Sequence, residues 1–368
     1  MKKAVYAGTL QIGGGAPVSV QSMTNTRTED AEATLAQIRR LAEAGAQLVR
    51  VSVYNEDCVK AVRTLVDQSP VPLCADIHFD HRLAVGALEN GIHKLRINPG
   101  NIGGEDKVKL VADCLKRHHV PVRIGVNAGS LEKDILAKYG GVTPEGLCES
   151  ALSHAGLLEK FGFDDLVISL KCSDVMTSFE ACTLLDRQCG YPQHIGMTEA
   201  GLPGRGTVKS AIGIGALLLS GIGDTVRVSL TGDPVNEVYA ALDILKALNL
   251  RGGIRFTSCP TCGRTRINVE KIARRLEQEF GHLDRDLSVA VMGCVVNGPG
   301  EARDKDIALC GGDGVGALYR KGVFVRRLQG DLEEEMIRAV REELTHDQDG
   351  STGTDCPQSP QAPGPSDA

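Results

Sequence analysis

From Val18 onward, short apolar runs alternate with longer stretches in which apolar residues recur every three or four positions. The first kind reads as buried strand and the second as amphipathic helix. Strands are expected at Val18–Gln21, Leu48–Val53, Leu73–Phe79, Lys94–Asn98, Val122–Val126, Leu166–Lys171, His194–Thr198 and Thr225–Leu230. Helices are expected over Glu29–Ala44, Asn55–Gln68, His81–Asn90, Glu105–His118, a helical region reaching Phe161, Asp174–Gln188, Thr207–Ser220 and Val235–Leu248. A short hairpin, Val5–Ile12, comes first and runs into Gly13-Gly-Gly15. Eight strand–helix units over roughly 230 residues match the count and size of a TIM (β/α)8 barrel. A doubly wound open sheet is the fallback. It would want nearly all-apolar central strands, whereas these carry polar residues at their C-terminal ends.

The rhythm breaks at Arg251-Gly-Gly253, which reads as a linker. It divides an expected barrel domain, 1–250, from a small C-terminal α/β domain, 251–345. In the latter, strands are expected at Ile254–Thr257 and Leu287–Met292, and a helix capped by Asn268 runs to Phe280. Ile307–Cys310 and Gly322–Arg327 are expected to pair as strands, and Leu332–Leu344 to form a last helix. The stretch 346–368 is rich in Ser, Gly, Pro, Asp and Gln; it is expected to be a disordered tail, with Cys356 no ligand.

Composition narrows the function. Apolar residues are 42%, enough for a sizeable core, and the net charge of −6 argues against a nucleic-acid surface. Aromatics are 4% and Trp is absent, so platforms for stacking bases are not expected. The longest apolar stretch, Ala211–Ile222, is interrupted by glycine and too short to span a bilayer. Twelve cysteines follow an opening, Met-Lys-Lys-Ala-Val-Tyr, without an apolar leader core. The expectation is a cytoplasmic protein whose cysteines are reduced and available to metal.

Barrel active sites form at the C-terminal ends of the strands. Those ends hold Gln21; Arg50 and Ser52; Asp76 and His78; Arg96 and Asn98; Arg123 and Asn127; Ser169 and Lys171; Thr198 and Glu199; Arg227 and Ser229. Most pairs are two apart, so their side chains share one side of the sheet. Five strands thus offer a cation: Arg50, Arg96, Arg123, Lys171 and Arg227. A phosphate or diphosphate substrate accounts for the cluster, since Arg binds such oxygens bidentately; the competing reading pairs each Arg with a carboxylate. His78 is a candidate ligand, proton donor or hydrogen-bonded barrel residue. Glu199 is a candidate to orient a hydroxyl or pass a proton, or to form a plain salt bridge. Gly201-Leu-Pro-Gly-Arg-Gly206 lacks the Lys-Ser of a Walker A loop, and Gly213-Ile-Gly215 falls inside an expected helix, so neither signals a nucleotide. No flavin or nicotinamide site is evident, so electrons for any redox chemistry come from a protein donor.

Cys259-Pro-Thr-Cys262 and, further on, Cys294-Val-Val-Asn-Gly-Pro-Gly-Glu301 offer three thiolates and a carboxylate. A zinc ribbon would close with a second C-x2-C or with His. Three cysteines without an obvious fourth fit a cubane iron–sulfur cluster with one distinct iron, with Glu301 within plausible reach. Structural zinc and ordinary buried thiols are the competing readings.

With both motif sets in view, the chain resembles the 4-hydroxy-3-methylbut-2-enyl diphosphate synthase family of the non-mevalonate isoprenoid pathway. The resemblance runs from about Val18 to Glu301. It is carried by Val20-Gln-Ser-Met-Thr-Asn-Thr26, Ala75-Asp-Ile-His-Phe79, Leu95-Arg-Ile-Asn-Pro-Gly-Asn101, Arg123-Ile-Gly-Val-Asn-Ala-Gly-Ser-Leu131, Ser169-Leu-Lys-Cys-Ser-Asp-Val175, Ser258-Cys-Pro-Thr-Cys-Gly-Arg264 and Gly293-Cys-Val-Val-Asn-Gly-Pro-Gly-Glu301. It implies a TIM barrel followed by a small domain carrying a [4Fe–4S] cluster on Cys259, Cys262, Cys294 and Glu301. The implied reaction is a two-electron reductive opening of 2-C-methyl-D-erythritol 2,4-cyclodiphosphate with loss of a hydroxyl. The barrel cations would hold the diphosphate, with Asn98, Asn127 and Ser229 beside them. The resemblance also implies flavodoxin or ferredoxin as donor and a homodimer in which one subunit's cluster domain caps the other's barrel. The extra domain of plant forms is absent, which indicates the two-domain bacterial form. Two readings compete: a non-redox lyase or aldolase on a phosphorylated sugar, with Lys171 as a Schiff-base lysine and a structural zinc, and a zinc-ribbon binding module. Charge and the lack of aromatics argue against the last.

Overall fold

The structure is a computed structural model and describes residues 2–281, 283–296 and 298–346. The expected tail lies outside the described residues from position 347 on. Two compact units divide between Arg251 and Gly252.

In the first unit an antiparallel hairpin, β1 (Val5–Ala7) and β2 (Leu10–Ile12), precedes the main sheet. That sheet contains β3 (Ser19–Met23), β4 (Leu48–Ser52), β5 (Leu73–Asp76), β6 (Lys94–Ile97), β7 (Val122–Asn127), β8 (Leu166–Lys171), β9 (His194–Ile195) and β10 (Thr225–Val226). The eight strands are parallel, in the order β8-β7-β6-β5-β4-β3-β10-β9. A parallel bridge between Ile168 and Gln193 joins β8 to the residue before β9 and closes the ring into a TIM barrel. The open doubly wound alternative falls with that closure.

The surrounding helices are α1 (Ala31–Glu43), α2 (Glu56–Gln68), α3 (His81–Glu89), α4 (Glu105–His118), α5 (Lys133–Tyr139), α6 (Pro144–Glu159), α7 (Val175–Gln188), α8 (Arg205–Leu219) and α9 (Val235–Ala247). Side chains of Asp30, Asn55, Asp80, Thr143 and Asp174 cap five of them by accepting first-turn amides. None of the helices among the described residues is long and apolar enough to cross a membrane.

Strand alternation sorts the residues into two layers. Val49, Val51, Ala75, Ile77, Leu95, Ile97, Ile124 and Ile168 point outward and join the helices in the main core. The inward positions are polar yet buried: Ser19, Gln21, Lys94, Arg96, Arg123, Ser169, Lys171, His194 and Thr225. The hairpin seals the floor, where Val5, Ala7 and Ile12 pack with Leu48, Cys74 and Val167. β9 and β10 are shorter than the sequence suggests. Past their ends the chain leaves the ladder, and the Leu230 amide turns to the Glu237 carboxylate at 3.0 Å.

The second unit is a five-stranded sheet, β11 (Ile254–Ser258), β12 (Leu287–Met292), β13 (Ile307–Gly312), β14 (Val315–Arg320) and β15 (Val323–Leu328), in that order. The first three strands are parallel and the last two antiparallel. Its helices are α10 (Val269–Phe280), the short α11 (Gly298–Glu301) and α12 (Leu332–His346). The expected direct pairing of Ile307–Cys310 with Gly322–Arg327 is wrong. β14 lies between them, and each pairs with it instead. The turn Gly312-Asp-Gly-Val315, with Gly314 at φ +69°, makes a hairpin on an Asp-Gly pair, a turn signal that the strand assignment above passes over.

Candidate active site

The five cations converge inside the barrel mouth. Lys171 is 6% exposed and has no hydrogen bond or ion pair among the described residues. Burial, and then the charges of Arg123, Arg227, Arg50 and Arg96, push its ammonium well below the ordinary lysine range. Arg123 is 2% exposed, and its Nε and Nη1 have no hydrogen-bond partner among the described residues. Burial, Arg50 and Arg96 all act against its charge, yet a guanidinium keeps its proton. An unmet positive charge is therefore built into the barrel mouth.

Two carboxylates answer part of it. Asp76 lies 3.1 Å from Arg96 Nη1 and 3.6 Å from Arg50 Nε. Burial would raise its carboxyl, but Arg50, the hydrogen bond with His78 and Arg96 together hold it far below the usual range. Glu237, in the first turn of α9, grips Arg227 with contacts of 3.1–3.3 Å. Neither Arg123 nor Lys171 has a carboxylate partner among the described residues, so one-to-one pairing of cation with acid fails at the centre of the cluster.

The geometry around each cation is specific. Arg50 donates from Nη2 and Nε to Met23 Sδ at 2.9 and 3.1 Å. Arg96 donates to the Gly125 carbonyl at 3.2 Å. A Cβ at residue 125 would lie 2.5 Å from Arg96 Nε, so glycine inside β7 makes the space the guanidinium uses. Asn98 accepts from the Gly100 amide at 3.1 Å and shapes the turn after β6. Asn127 is half-buried and follows Gly125 by two residues on the same phase of β7, and Ser229 is half-buried in the segment past the end of β10.

The two acid–base candidates are placed differently. His78 is exposed, with Nδ1 3.2 Å from Arg96 Nη1 and Nε2 3.6 Å from Asp76, so it belongs to the cation cluster. Glu199 is also exposed and makes no hydrogen bond or ion pair among the described residues. Its φ of +51° is left-handed, a conformation a glutamate adopts only at a cost.

In the second unit, Cys259 directly follows β11 and Cys294 lies two residues past β12, so neighbouring parallel strands deliver both. The Gly293 amide donates to Cys259 Sγ at 3.1 Å, and the Cys259 amide donates to the Val291 carbonyl at 3.2 Å. Cys262 is exposed, and its amide donates to Thr265 Oγ1 at 3.0 Å. Hydrogen bonds from the Arg264 amide and side chain, with Thr265, draw its thiol below the usual range and so favour the thiolate. Glu301 closes α11. That turn starts at Gly298, where a Cβ would lie 2.8 Å from Cys310 Sγ. Among the described residues no three His, Cys, Asp or Glu side chains stand close enough to hold a single metal ion. The donor chemistry nonetheless fits a cluster with several irons: thiolate-favouring amide donors, and separate sulfurs on loops from adjacent strand ends.

Sequence reasoning missed Glu237, Met23 and Gly125. Glu237 sits on a helix outside the strand pattern, Met23 is an apolar residue at the end of its strand, and glycine within a strand was the one available signal.

A family model described as GcpE TIM-barrel domain matches residues 2–242, and one described as GcpE protein C-terminal domain matches residues 255–346. The chain is 51% identical over 341 residues to the 4-hydroxy-3-methylbut-2-en-1-yl diphosphate synthase (flavodoxin) of Clostridium tetani, covering 92% of this chain and 97% of the relative. To the protein of the same name from Geobacter sulfurreducens it is 52% identical over 344 residues, covering 93% and 98%. Among solved structures, a Yersinia pestis dihydropteroate synthase aligns with a TM-score of 0.48 at 13% identity, over 68% of this chain and 100% of that one.

Proposed function

The chain belongs to the GcpE family, and on that premise we propose how its residues perform the synthesis of 4-hydroxy-3-methylbut-2-en-1-yl diphosphate, the activity for which its curated relatives are named. The substrate is 2-C-methyl-D-erythritol 2,4-cyclodiphosphate. Two electrons and two protons enter, the ring opens, a hydroxyl leaves as water, and the (E)-alkenyl diphosphate results. The relatives' named activity gives no support to a non-redox lyase using Lys171 as a Schiff base.

One observation carries this reading: Arg123 and Lys171 are buried cations without an acidic partner among the described residues, ringed by Arg50, Arg96 and Arg227. A diphosphate supplies the missing negative charge. Arg50 and Arg96, held by Asp76, and Arg227, held by Glu237, keep their guanidiniums oriented before the ligand arrives, which lowers the cost of binding it. Asn98, Asn127 and Ser229 offer hydrogen bonds at the same mouth. His78 and Glu199 are the candidates to hold or deliver a proton at the departing oxygen. Glu199 is free to do so because no other described side chain claims it.

Cys259, Cys262 and Cys294 would hold three irons of a [4Fe–4S] cluster, and Glu301 the fourth. When bound, the cluster supplies electrons one at a time and a Lewis-acidic iron. The amide of Gly293 at Cys259, and the amide and side chain of Arg264 with the side chain of Thr265 around Cys262, favour the thiolates. Flavodoxin is the electron donor in this proposal, as the relatives' names indicate for them, and ferredoxin is the competing carrier. A cytoplasmic homodimer with the site shared between subunits completes it. Iron and acid-labile sulfide analysis after anaerobic purification tests the cofactor half. About four of each per chain is expected; a colourless protein with one zinc contradicts it.

A further inference from the structure

Two residues before Arg96, on the same inner face of β6, stands Lys94, the deepest cation in the barrel. It is completely buried, and its Nζ has no hydrogen-bond partner among the described residues. The strand rise puts it roughly 7 Å below Arg96. Beneath it the apolar hairpin plug of Val5, Ala7 and Ile12 seals the floor. The polar side of Lys94 is therefore the one toward the mouth in which the arginines stand.

Its surroundings give an ammonium nothing to pair with. Cys74, its partner in register on β5, and Arg123 from β7 act on it most directly. From β9 His194 faces the same group; it is fully buried, with both ring nitrogens unpartnered among the described residues. Burial first, then the charges of Arg123, Lys171, Lys94 and Arg50, keep that imidazole neutral. Ser19 and Thr225, buried at the same depth, do not titrate. Asp76 is a layer higher and already shared between Arg50 and Arg96. Burial pushes the Lys94 ammonium down to about 7, with Cys74 opposing the fall and Arg123 adding to it.

We propose that Lys94 is the proton-accepting floor of the anion site: at pH 8 it rests mostly as a neutral amine and takes up a proton when a doubly charged ligand settles on the arginines above it. The step is simple protonation of the Nζ lone pair by solvent, with no change of oxidation state. Before an anion binds, a neutral amine avoids adding another like charge beneath the four arginines. Once an anion is present, the charged form is favoured by attraction through a water-poor interior. Binding and proton uptake are then linked. The inference rests on the cyclic diphosphate reading.

Calorimetry with the cluster-loaded, oxidised protein tests it, since without reductant the cyclic diphosphate binds but does not turn over. Each phosphorus of that ligand carries one strongly acidic oxygen, so neither ligand nor arginine titrates between pH 6 and 9. Lys171 can add its own uptake, so the comparison is with Lys94→Met. Titrations are run at pH 8 in two buffers of different ionisation enthalpy. Proton uptake by the wild type should exceed that of Lys94→Met by about half a proton or more, and the gap should shrink at pH 6, where Lys94 is already charged. In step, the wild-type Kd should rise with pH above 7, by up to about tenfold per unit from Lys94 alone, and less steeply in Lys94→Met. Equal uptake in both proteins overturns the proposal while leaving the diphosphate site intact. No binding at all overturns the diphosphate reading and this inference with it. Should Lys94→Met fail to fold, Lys94→Gln serves instead, and a wild-type Kd that stays flat from pH 7 to 9 overturns the proposal with no substitution needed.

Discussion

The amide of Gly293 donates to the sulfur of Cys259 at 3.1 Å. This bond ties the first cysteine loop to the residue before Cys294. It brings two distant motifs of the chain together at the ends of β11 and β12. The donor is a backbone amide, so substitutions at Cys262 or Cys294 leave the bond in place, whereas replacing Cys259 removes its acceptor.

Glu301→Ala removes the carboxylate without touching the three sulfurs. Iron content and the visible absorbance should fall or become oxygen-labile, while the barrel's thermal transition stays where it was. Unchanged iron, absorbance and turnover would refute the ligand role.

Arg123→Met and Lys171→Met each take a buried, unpaired charge out of the barrel. Removing a buried charge that has no partner relieves its desolvation cost. The ligand-free variants should unfold at equal or higher denaturant concentration than the wild type, and their KM should rise about a hundredfold, equivalent to ~2.7 kcal/mol of lost binding. A stable variant with an unchanged KM would remove these residues from the diphosphate site.

Asp76→Asn strips the shared anchor from Arg50 and Arg96. Breaking a buried pair on one side costs about 3–5 kcal/mol, so the denaturation midpoint at pH 7 should drop, and added pyrophosphate should restore part of it. The sign with pH follows from a folded carboxyl held below its unfolded value. Its stabilisation is present above about pH 4 and is lost as pH falls from there. The gap between wild type and Asp76→Asn should therefore narrow between pH 5 and pH 2; a gap that widens on acidification contradicts the assignment.

Gly125→Ala places a methyl 2.5 Å from Arg96 Nε. Overpacking of this kind costs about 1–3 kcal/mol, and the guanidinium must also swing away from the Gly125 carbonyl. KM should rise about tenfold, with kcat less affected, in steady-state kinetics. Normal kinetics would show that Arg96 has room to move without consequence.

Much of the barrel was legible because its signals are local. Each strand is a short apolar run with polar residues two apart, and each helix has its own period and cap, so the eightfold count and the inward cations follow from the chain alone. What was not legible depends on partners from elsewhere. Glu237 reaches Arg227 from the first turn of a helix, and Met23 meets Arg50 across two strands; neither has a mark in its own sequence neighbourhood. β14 was passed over because Val315–Arg320 has no strong strand pattern: its exposure alternates weakly, and it gains its place by pairing on both sides. Lys94 is simply the first residue of an expected strand in the sequence, and closure of the barrel with the hairpin beneath it makes it a buried amine.

The most direct test is anaerobic turnover. Cluster-loaded protein, the cyclic diphosphate and chemically reduced flavodoxin are mixed, and the products are separated and weighed by mass spectrometry. The account predicts one molecule of (E)-4-hydroxy-3-methylbut-2-enyl diphosphate per two electrons consumed, with none formed by a Cys259→Ser protein that has lost its iron. Flavodoxin that stays reduced beside unchanged cyclic diphosphate, with the cluster intact, would contradict it.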